Sequence, residues 1–440
     1  MRRFHLQPGA ALRGRVCVPG DKSVSHRAIM LSAIASGRSR ITGFLESADC
    51  LATLHAFEAM GVIFARDGEA LEVDGVGREG LQAPVGPLDL GNSGTSMRLM
   101  SGLMAGQRFD SRLVGDASLS RRPMARVIEP LTRMGARIEG QDGGRAPLAI
   151  QGGQPLKGID YTPPVASAQI KSCVLLAGLY ADGVTRVTEP GISRDHTERM
   201  LSAFGVSVER EARTLSIAGG QALQAADVAV PADLSSAAFF IVGATIAESS
   251  AIVLPGVGIN PTRRGVLDIL KRMGADIRLH DERIQAGEPV ADIEVRSASL
   301  KGVDIGGDEV ELAIDEFPAI FIAAACAEGT TRLTGAAELR VKESDRIAVM
   351  ADGLSRLGVD VRVAEDGLTI VGTATGAAFG GARIESHDDH RIAMAFAMAA
   401  LRASAPIEID DCDFVDTSFP GFVTLAGEAG LQIRASEVSR

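Results

Sequence analysis

Aromatic residues are scarce in this chain of 440 residues, and the 45 lysines and arginines are outnumbered by 56 aspartates and glutamates. It contains no tryptophan and two tyrosines, and aromatic residues make up 4% of the total. This scarcity argues against modules that bind nucleic acid by stacking bases on aromatic side chains. The formal net charge of −11 also argues against nucleic acid or an anionic membrane as a general partner, although it leaves room for a local basic site.

The chain also lacks paired cysteines and long apolar runs. No two of its five cysteines have the spacing of a metal site or a C-x-x-C motif: Cys17, Cys50, Cys173, Cys326 and Cys412. Such an odd, scattered set is typical of reduced thiols, so we predict a cytoplasmic protein. The longest apolar runs, such as residues 392–401, are about half the ~20 residues that span a bilayer. No apolar segment follows the basic start, so a signal peptide is not expected either.

What the chain does contain is an internal repeat. An amphipathic helix that ends in glycine, followed by a β-rich run, recurs six times at intervals of roughly 70 to 85 residues: Gly61, Gly135, Gly205, Gly274, Gly358 and Gly430. Glycine just after a helix supplies the left-handed conformation that ends it. Before each copy, small polar residues lead into a very apolar helix and then into a β-branched strand. Each unit is therefore predicted to contain strand and helix twice over.

The first helix of each unit is apolar nearly all round, as in residues 314–327. Such a helix belongs inside a domain rather than on its surface, whereas the charged second helices should lie half-exposed. These patterns predict an α/β protein of two inside-out domains, each with three repeats, with helices within and strands outside. We place the first domain at residues 19–232. The second domain is predicted to combine residues 1–18 with residues 233–440.

Cationic residues lie at or near the starts of the apolar helices. A helix N-terminus attracts phosphate and carboxylate because its N–H groups are unpaired and carry partial positive charge. The cations are Lys22, Arg27, Arg98, Lys171, Lys342, Arg346, His390 and Arg391, and a loop adds Arg121 and Arg122. The polar residues there could be ordinary N-caps. Cations in a first turn oppose the helix dipole, however, and the repetition of that cost predicts an anion-binding site.

Four stretches carry a family resemblance: residues 19–28, 90–98, 339–346 and 388–391. Their order and spacing resemble the motifs of the 5-enolpyruvylshikimate-3-phosphate (EPSP) synthase family, over essentially the whole chain. The resemblance implies two inside-out α/β domains, each of three βαβαββ repeats, with the active site in the cleft between the domains. It also implies transfer of the enolpyruvyl group of phosphoenolpyruvate to the 5-hydroxyl of shikimate 3-phosphate. Phosphate is released, and the product leads to chorismate and the aromatic amino acids by the shikimate pathway.

The resemblance further implies a tetrahedral ketal intermediate and no metal or organic cofactor. A monomer is expected that acts on these two small molecules and binds neither nucleic acid nor membrane. The implied catalytic residues are Asp315, as the base, and Glu343 and Lys22, as proton-transfer candidates. The implied shikimate 3-phosphate residues are Lys22, Ser23, Arg27, Ser167, Ala168, Gln169, Arg194, Asp315 and Lys342. The implied phosphoenolpyruvate residues are Lys22, Gly94, Arg122, Gln169, Arg346, His390 and Arg391.

Two of these residues have simpler interpretations. Asp315 could be a plain N-cap, and Glu343 could be a surface partner of Arg346, three residues further on. Two positions also depart from the better-known form of the family: Ala168 replaces a second serine that often contacts phosphate, and Thr417 replaces a lysine. These departures bear on the details of phosphate binding rather than on the reaction.

Glyphosate is expected to compete for the phosphoenolpyruvate site, but the sequence gives conflicting signals on tolerance. Arg194 resembles an arginine of the glyphosate-tolerant branch of the family. Gly94, in contrast, leaves room for the inhibitor where tolerant members often carry a larger residue.

Two other functions compete with this interpretation. The sister enolpyruvyl transferase, which acts on UDP-N-acetylglucosamine, usually has Lys-Asn at the first helix start and a reactive cysteine in a later loop. Here Lys22 is followed by Ser23, and the loop at residues 115–123 contains no cysteine. A non-catalytic anion-binding repeat protein is the second alternative, and the retained Arg122 and Asp315 argue against it.

Overall fold

The computed structural model describes residues 1–438, which form two compact units. Unit A consists of residues 20–231 together with residues 284–288. Unit B consists of residues 1–19, 232–283 and 289 onward. Both units are mixtures of α-helices and β-sheets, so the predicted α/β class is confirmed.

Two short strands, β1 (Arg2–Leu6) and β2 (Arg13–Arg15), open the chain and belong to unit B. Three repeats then build unit A. The first contains α1 (Lys22–Ala33), β3 (Ala35–Thr42), α2 (Ala48–Glu58), β4 (Ile63–Asp67) and β5 (Ala70–Val76). The second contains β6 (Leu88–Asp89), α3 (Gly94–Ala105), β7 (Ser111–Val114), α4 (Ala117–Arg121), α5 (Ala125–Arg133), β8 (Arg137–Gln141) and β9 (Arg145–Gln151). The third contains β10 (Asp160–Tyr161), α6 (Ala168–Gly178), β11 (Val184–Thr188), α7 (His196–Ala203), β12 (Val208–Glu211), β13 (Thr214–Ala218), β14 (Leu223–Gln224) and β15 (Val228–Ala229).

Three further repeats build unit B. The fourth contains α8 (Leu234–Ile246), β16 (Ala251–Gly258), α9 (Gly265–Met273), β17 (Asp276–Gln285) and β18 (Glu288–Arg296). The fifth contains β19 (Leu300–Lys301), β20 (Asp304–Ile305), α10 (Asp308–Leu312), α11 (Phe317–Ala325), β21 (Ala327–Leu333), α12 (Arg346–Arg356), β22 (Asp360–Ala364) and β23 (Gly367–Gly372). The sixth contains β24 (Ala382–Glu385), α13 (His390–Ala399), β25 (Ile407–Asp410), α14 (Phe422–Ala429) and β26 (Ile433–Glu437). Three 3₁₀ turns add to these elements, at Ala337–Val341, Ala400–Arg402 and Cys412–Thr417.

Each repeat forms its own sheet with one strand order. In the second repeat the order is β6-β7-β9-β8, with β6 and β7 parallel and the remaining pairs antiparallel. Three sheets also contain one or two strands from a distant part of the same unit. β14 and β15 pair with β3, β2 pairs with β16, and β1 lies between β25 and β26. The position of β1 in the middle of this sheet was not predicted from the sequence.

The first helix of each repeat is buried, as its apolar surface predicts. All thirteen residues of α8 and all nine residues of α11 are buried. The second helices keep charged residues outside: in α9, Lys271 and Arg272 are exposed while the apolar residues face the core. Each unit therefore has the buried first helices at its centre, while the sheets and the charged sides of the second helices face solvent. No helix within residues 1–438 is long and apolar enough to cross a membrane.

Most starts of the buried helices are capped by a side chain. Asp21, Ser93, Ser167, Asp233 and Asp389 each accept a hydrogen bond from a backbone N–H in the following turn. Helix α11 differs, because its N-cap residue is Glu316 and no side chain caps it. The caps satisfy backbone N–H groups that would otherwise be unpaired. They also fix the backbone from which the neighbouring cationic side chains extend.

Candidate active site

Lys22 and Arg27 lie on the first turns of α1, in unit A. The Lys22 ammonium forms an ion pair with the buried carboxylate of Asp49, at the start of α2. Ser23 lies beside Lys22, and its carbonyl oxygen accepts a hydrogen bond from Arg27 Nη1 at 2.9 Å. Lys22 is the more accessible of the two cations, since 22% of its side chain is exposed.

Arg27 is buried, and its hydrogen-bond partners among residues 1–438 are all neutral. Its Nε donates to Thr197 Oγ1 at 2.6 Å, and Nη2 donates to Ser172 Oγ at 2.9 Å. Burial lowers the pKa of Arg27 to about 10; the carboxylates of Glu198 and Asp21 act in the opposite direction, and the positive charge of Arg194 lowers the pKa further. A buried guanidinium without a direct carboxylate partner favours an incoming anion, because such a ligand would supply the missing countercharge.

A second cationic group surrounds Gly94, the first residue of α3. A Cβ atom placed on Gly94 would lie 3.1 Å from Arg98 Nη1 and 3.2 Å from Arg122 Nη1. Both guanidinium groups are oriented by neutral acceptors: Arg98 Nη1 donates to Gln169 Oε1 at 2.6 Å, and Arg122 Nη2 donates to Asn92 Oδ1 at 2.7 Å. Two arginines and a helix N-terminus thus converge on one glycine, an arrangement that suits phosphate or carboxylate.

The start of α6 joins this group. Ser167 caps the helix, Ala168 is its first residue, and Gln169 follows. Gln169 accepts from Arg98 and donates its Nε2 to Thr95 Oγ1 at 3.1 Å, so it bridges α6 and α3. Of the residues predicted for unit A, Gly94, Arg122 and Gln169 therefore lie in one connected network through Arg98.

His26 connects the starts of α1, α2 and α3. Its Nδ1 lies 2.8 Å from Thr53 Oγ1, and its Nε2 lies 3.4 Å from Ser93 Oγ, the cap of α3. Thr53 also shares a hydrogen bond with Ser96 at 2.6 Å. Burial, with smaller contributions from the charges of Lys22 and Arg27, lowers the pKa of His26 well below its ordinary value. A neutral imidazole therefore holds these helix starts together.

In unit B, the predicted residues gather around Arg346. This side chain is completely buried, and it begins α12. Its Nη2 lies 2.7 Å from Glu343 Oε2 and its Nη1 lies 3.4 Å from Asp315 Oδ1. Its Nε lies 2.9 Å from Asp389 Oδ2. Burial alone would lower the pKa of Arg346, but the three surrounding carboxylates outweigh burial and raise that pKa above its ordinary value.

Asp389 and Asp315 take different places in this cluster. Asp389 is buried and caps α13, where its Oδ1 accepts from the backbone N–H of Arg391 at 3.0 Å. Burial alone would raise the pKa of Asp389, but the Arg346 guanidinium outweighs burial and holds that pKa below its usual range. Asp315 precedes the N-cap of α11 and lies between two arginines, with its Oδ2 3.7 Å from Arg391 Nη2. The N-cap position of α11 is taken by Glu316, so Asp315 does not occupy the place that the simpler interpretation gave it.

Glu343 keeps part of its simpler interpretation. It does pair with Arg346 three residues on, but Arg346 is buried, so the pair is not a surface one. Lys342 ends the 3₁₀ turn at Ala337–Val341, and His390 is the buried first residue of α13. No three His, Cys, Asp or Glu side chains among residues 1–438 are grouped as they would be to hold a metal ion.

The comparisons with known proteins extend over nearly the whole chain. The family model described as EPSP synthase (3-phosphoshikimate 1-carboxyvinyltransferase) matches residues 6–425. The chain belongs to the EPSP synthase family. The 3-phosphoshikimate 1-carboxyvinyltransferase of Alkalilimnicola ehrlichii is similar to it, with 65% identity over 431 residues, 98% of this chain and 96% of the relative. That of Halorhodospira halophila is 61% identical over 431 residues, with the same coverage of both chains.

A solved EPSP synthase structure is also similar to this fold. The enzyme from Acinetobacter baumannii aligns with a TM-score of 0.91 and 56% sequence identity, over 99% of this chain and 100% of that chain. This similarity to an EPSP synthase confirms the sequence-based recognition of the family and of its fold.

Three residues of these clusters were missing from the residues predicted for the EPSP synthase site. Asp49 pairs with Lys22, Arg98 approaches Gly94, and Asp389 pairs with Arg346. Arg98 could have been assigned from its position four residues after Gly94, since residues i and i+4 lie on one helix face. Asp49 and Asp389 carry no comparable local signal, because their partners lie on other segments.

Proposed function

We propose that this chain catalyses transfer of the enolpyruvyl group from phosphoenolpyruvate to the 5-hydroxyl of shikimate 3-phosphate, with release of phosphate. Membership of the EPSP synthase family and the activity for which its relatives are named support this activity. The observation that carries it to individual residues is the Arg346 cluster, where a candidate base, Asp315, lies between two arginines. No comparable support exists for UDP-N-acetylglucosamine as substrate.

The two substrates bring two phosphates and two carboxylates, so the proposed site must supply many donors. We assign the phosphate of shikimate 3-phosphate to the surroundings of Arg27, with Lys22, Ser23, Arg194 and Lys342 as further ligands. Ser167 and Ala168, at the start of α6, and Gln169 complete this group. Phosphoenolpyruvate is assigned to the arginines around Gly94 and to the cations of the Arg346 cluster: Arg122, Arg346, His390 and Arg391, together with Lys22 and Gln169. The neutral hydrogen-bond partners that Arg27 has among residues 1–438 support this assignment, because an anion would add a charged partner.

The proposed chemistry consists of an addition followed by an elimination. Asp315 removes the proton of the 5-hydroxyl group, and the hydroxyl oxygen bonds to C2 of phosphoenolpyruvate. At the same time Glu343 or Lys22 delivers a proton to the methylene carbon. The resulting tetrahedral ketal then returns one methyl proton to the enzyme, its C–O bond to phosphate breaks, and the enol ether forms. These steps need only side-chain acids and bases, and the arginines stabilise the charge that develops on the phosphate.

The proposal also covers the state of the protein. We infer a monomer in the cytoplasm that acts on small molecules, with residues 19–232 forming one domain and residues 1–18 with 233–440 the other. The acidic net charge of −11 supports the absence of a nucleic-acid partner. Four of the five cysteines are buried free thiols, which suits a reducing compartment. Size-exclusion chromatography coupled to light scattering should give a mass of 45.9 kDa. A mass of twice that value or a higher multiple would contradict the monomer.

Replacement of Asp315 tests the assigned base. Asp315→Asn keeps the shape of the side chain but cannot accept the hydroxyl proton, so kcat should fall by ~10²–10⁴-fold while substrate affinity largely survives. Initial rates of phosphate release measure kcat, and calorimetric titration measures affinity. Asp352→Asn is the matched control, since Asp352 is exposed on α12 and, within the described residues 1–438, pairs only with Arg356. The assignment would be untenable if Asp315→Asn kept more than about a third of the wild-type kcat.

A further inference from the structure

A buried ammonium lies beneath the start of α6, and the proposed chemistry does not use it. The side chain of Lys171 is completely buried. Its Nζ lies 2.9 Å from Glu189 Oε1 and 2.8 Å from Glu198 Oε1. Removal of an ammonium and two carboxylates from water is costly, and an apolar residue would fill this place at lower cost. Lys171 is one of the cations predicted from the sequence to bind an anion, but its charge is already matched by the two glutamates.

Both glutamates belong to one segment, residues 189–198, which leads from β11 into α7. Glu189 opens the segment, and Glu198 lies in the first turn of α7. Lys171 Nζ also lies 3.5 Å from the carbonyl oxygen of Ser193, midway along it. The Ser193 hydroxyl in turn donates to Glu189 Oε1. One ammonium therefore anchors this segment at its start, its middle and its end.

The same segment places the cations assigned to the substrate phosphate. Arg194 directly follows Ser193, and its charge acts on the guanidinium of Arg27. Thr197, at the other end, accepts from Arg27 Nε at 2.6 Å and lies 2.6 Å from the hydroxyl of Ser172, the residue after Lys171. The positions of Arg27 and Arg194 both depend on this segment, and their like charges repel each other when no anion is present.

We propose that Lys171 is a positioning residue that holds residues 189–198 so that Arg194 and Arg27 form a fixed site for the phosphate of the acceptor substrate. The inference rests on the proposed function. Lys171 itself does not touch the substrate, because the two glutamates and the segment enclose its ammonium. Without that anchor the segment would rearrange, and the phosphate site would have to be reassembled on binding, which weakens affinity.

Lys171→Gln tests this role through the substrate that carries the phosphate. The KM for shikimate 3-phosphate and its calorimetric Kd should each rise about tenfold or more, the equivalent of losing one well-placed anchor. The KM for phosphoenolpyruvate and kcat should change less than about twofold, within the scatter expected for a site that is not disturbed. The Kd for shikimate, which lacks the phosphate, should also stay unchanged. Equal weakening of shikimate and shikimate 3-phosphate, or unchanged binding of both, would overturn the proposal.

Arg210→Gln is the matched control. Arg210 Nη2 lies 3.4 Å from Glu189 Oε2 and 3.4 Å from Glu198 Oε1, so the same two glutamates lose a cationic partner in this variant. Arg210 is 44% exposed and does not reach the centre of the segment through any contact among residues 1–438. Its KM for shikimate 3-phosphate should stay within about twofold of wild type. A rise as large as that of Lys171→Gln would contradict the proposal.

A double variant keeps the test valid if Lys171→Gln does not fold. Lys171→Gln combined with Glu198→Gln removes the ammonium together with one carboxylate, and the remaining Glu189 keeps Arg210 at 3.4 Å as a cationic partner, so the fold should survive. It should show the same weak binding of shikimate 3-phosphate, and wild-type affinity would overturn the proposal. The wild-type rate is measured first. Wild-type protein without activity would overturn the proposed function, whereas active wild type with unaltered variants would overturn only the role of Lys171.

Discussion

Gly94→Ala probes the arginines that converge at the start of α3. The added Cβ would lie 3.1 Å from Arg98 Nη1 and 3.2 Å from Arg122 Nη1, closer than almost all real Cβ contacts. Both guanidinium groups must then shift by a few tenths of an ångström. Each is held by an amide oxygen, that of Gln169 for Arg98 and that of Asn92 for Arg122. The methyl group therefore disturbs two oriented donors without touching the core.

The size of the effect follows from these contacts. A hydrogen bond to a charged group contributes ~1.5–3 kcal/mol. Loss of about half of one such bond amounts to ~1 kcal/mol, which corresponds to a roughly five- to tenfold rise in the KM for phosphoenolpyruvate. The fold should not be weakened, because alanine favours a helix over glycine by up to ~1 kcal/mol and Gly94 has an ordinary backbone conformation for a helix start.

Steady-state kinetics and thermal unfolding of the same preparation separate these expectations. Gly427→Ala is the matched control, because Gly427 lies in α14 and its added Cβ would meet no atom within 4 Å among residues 1–438, apart from the adjoining backbone of its own helix. It should leave both the KM and the unfolding temperature unchanged or slightly raise the latter. The reasoning fails if Gly94→Ala binds phosphoenolpyruvate as tightly as wild type, or if its loss of affinity is matched by a loss of fold stability.

Two further predictions concern the same unit. Arg122→Lys should raise the KM for phosphoenolpyruvate and leave that for shikimate 3-phosphate nearly unchanged, because an ammonium cannot grip a carboxylate or phosphate with two parallel donors; equal KM values in the variant and wild type would argue against this role. Burial depresses the pKa of His26 in the folded protein. The stability that the neutral imidazole contributes is therefore fully present above about pH 6.5, the pKa of histidine in the unfolded chain, and is lost as the pH falls below that value. Wild type should therefore show a loss of stability at pH 5.5 relative to pH 7.5. Urea unfolding at pH 7.5 and 5.5 should show it for wild type and not for His26→Asn, and equal losses in the two proteins would contradict the neutral state of His26.

Burial of the first helices could be predicted from composition alone. Helix α8 has no charged residue among Leu234–Ile246, and a helix without a polar face has no stable place on a surface. The helix starts could also be predicted from the sequence, since serine and aspartate before an apolar run predict caps such as Asp21 and Ser93. These features depend on local sequence, so they survive in the folded chain.

The arrangement around Arg346 could not be predicted in the same way. Only Glu343 lies at a spacing that suggests a contact, whereas Asp315 and Asp389 reach the guanidinium from other segments. The partners of Lys171 could not be predicted from the local sequence either. Its position in a first turn is typical of an anion-binding cation, yet its ammonium forms ion pairs with two glutamates from a later segment. Only the tertiary structure distinguishes a free cation from a paired one.

The central claim is tested most directly by phosphate release from purified substrates. With shikimate 3-phosphate and phosphoenolpyruvate together, the protein should release phosphate at a rate that does not change when EDTA is present. Neither substrate alone should support release. Phosphate release with UDP-N-acetylglucosamine in place of shikimate 3-phosphate, or a loss of rate in EDTA that a divalent metal restores, would contradict the proposed metal-free transfer.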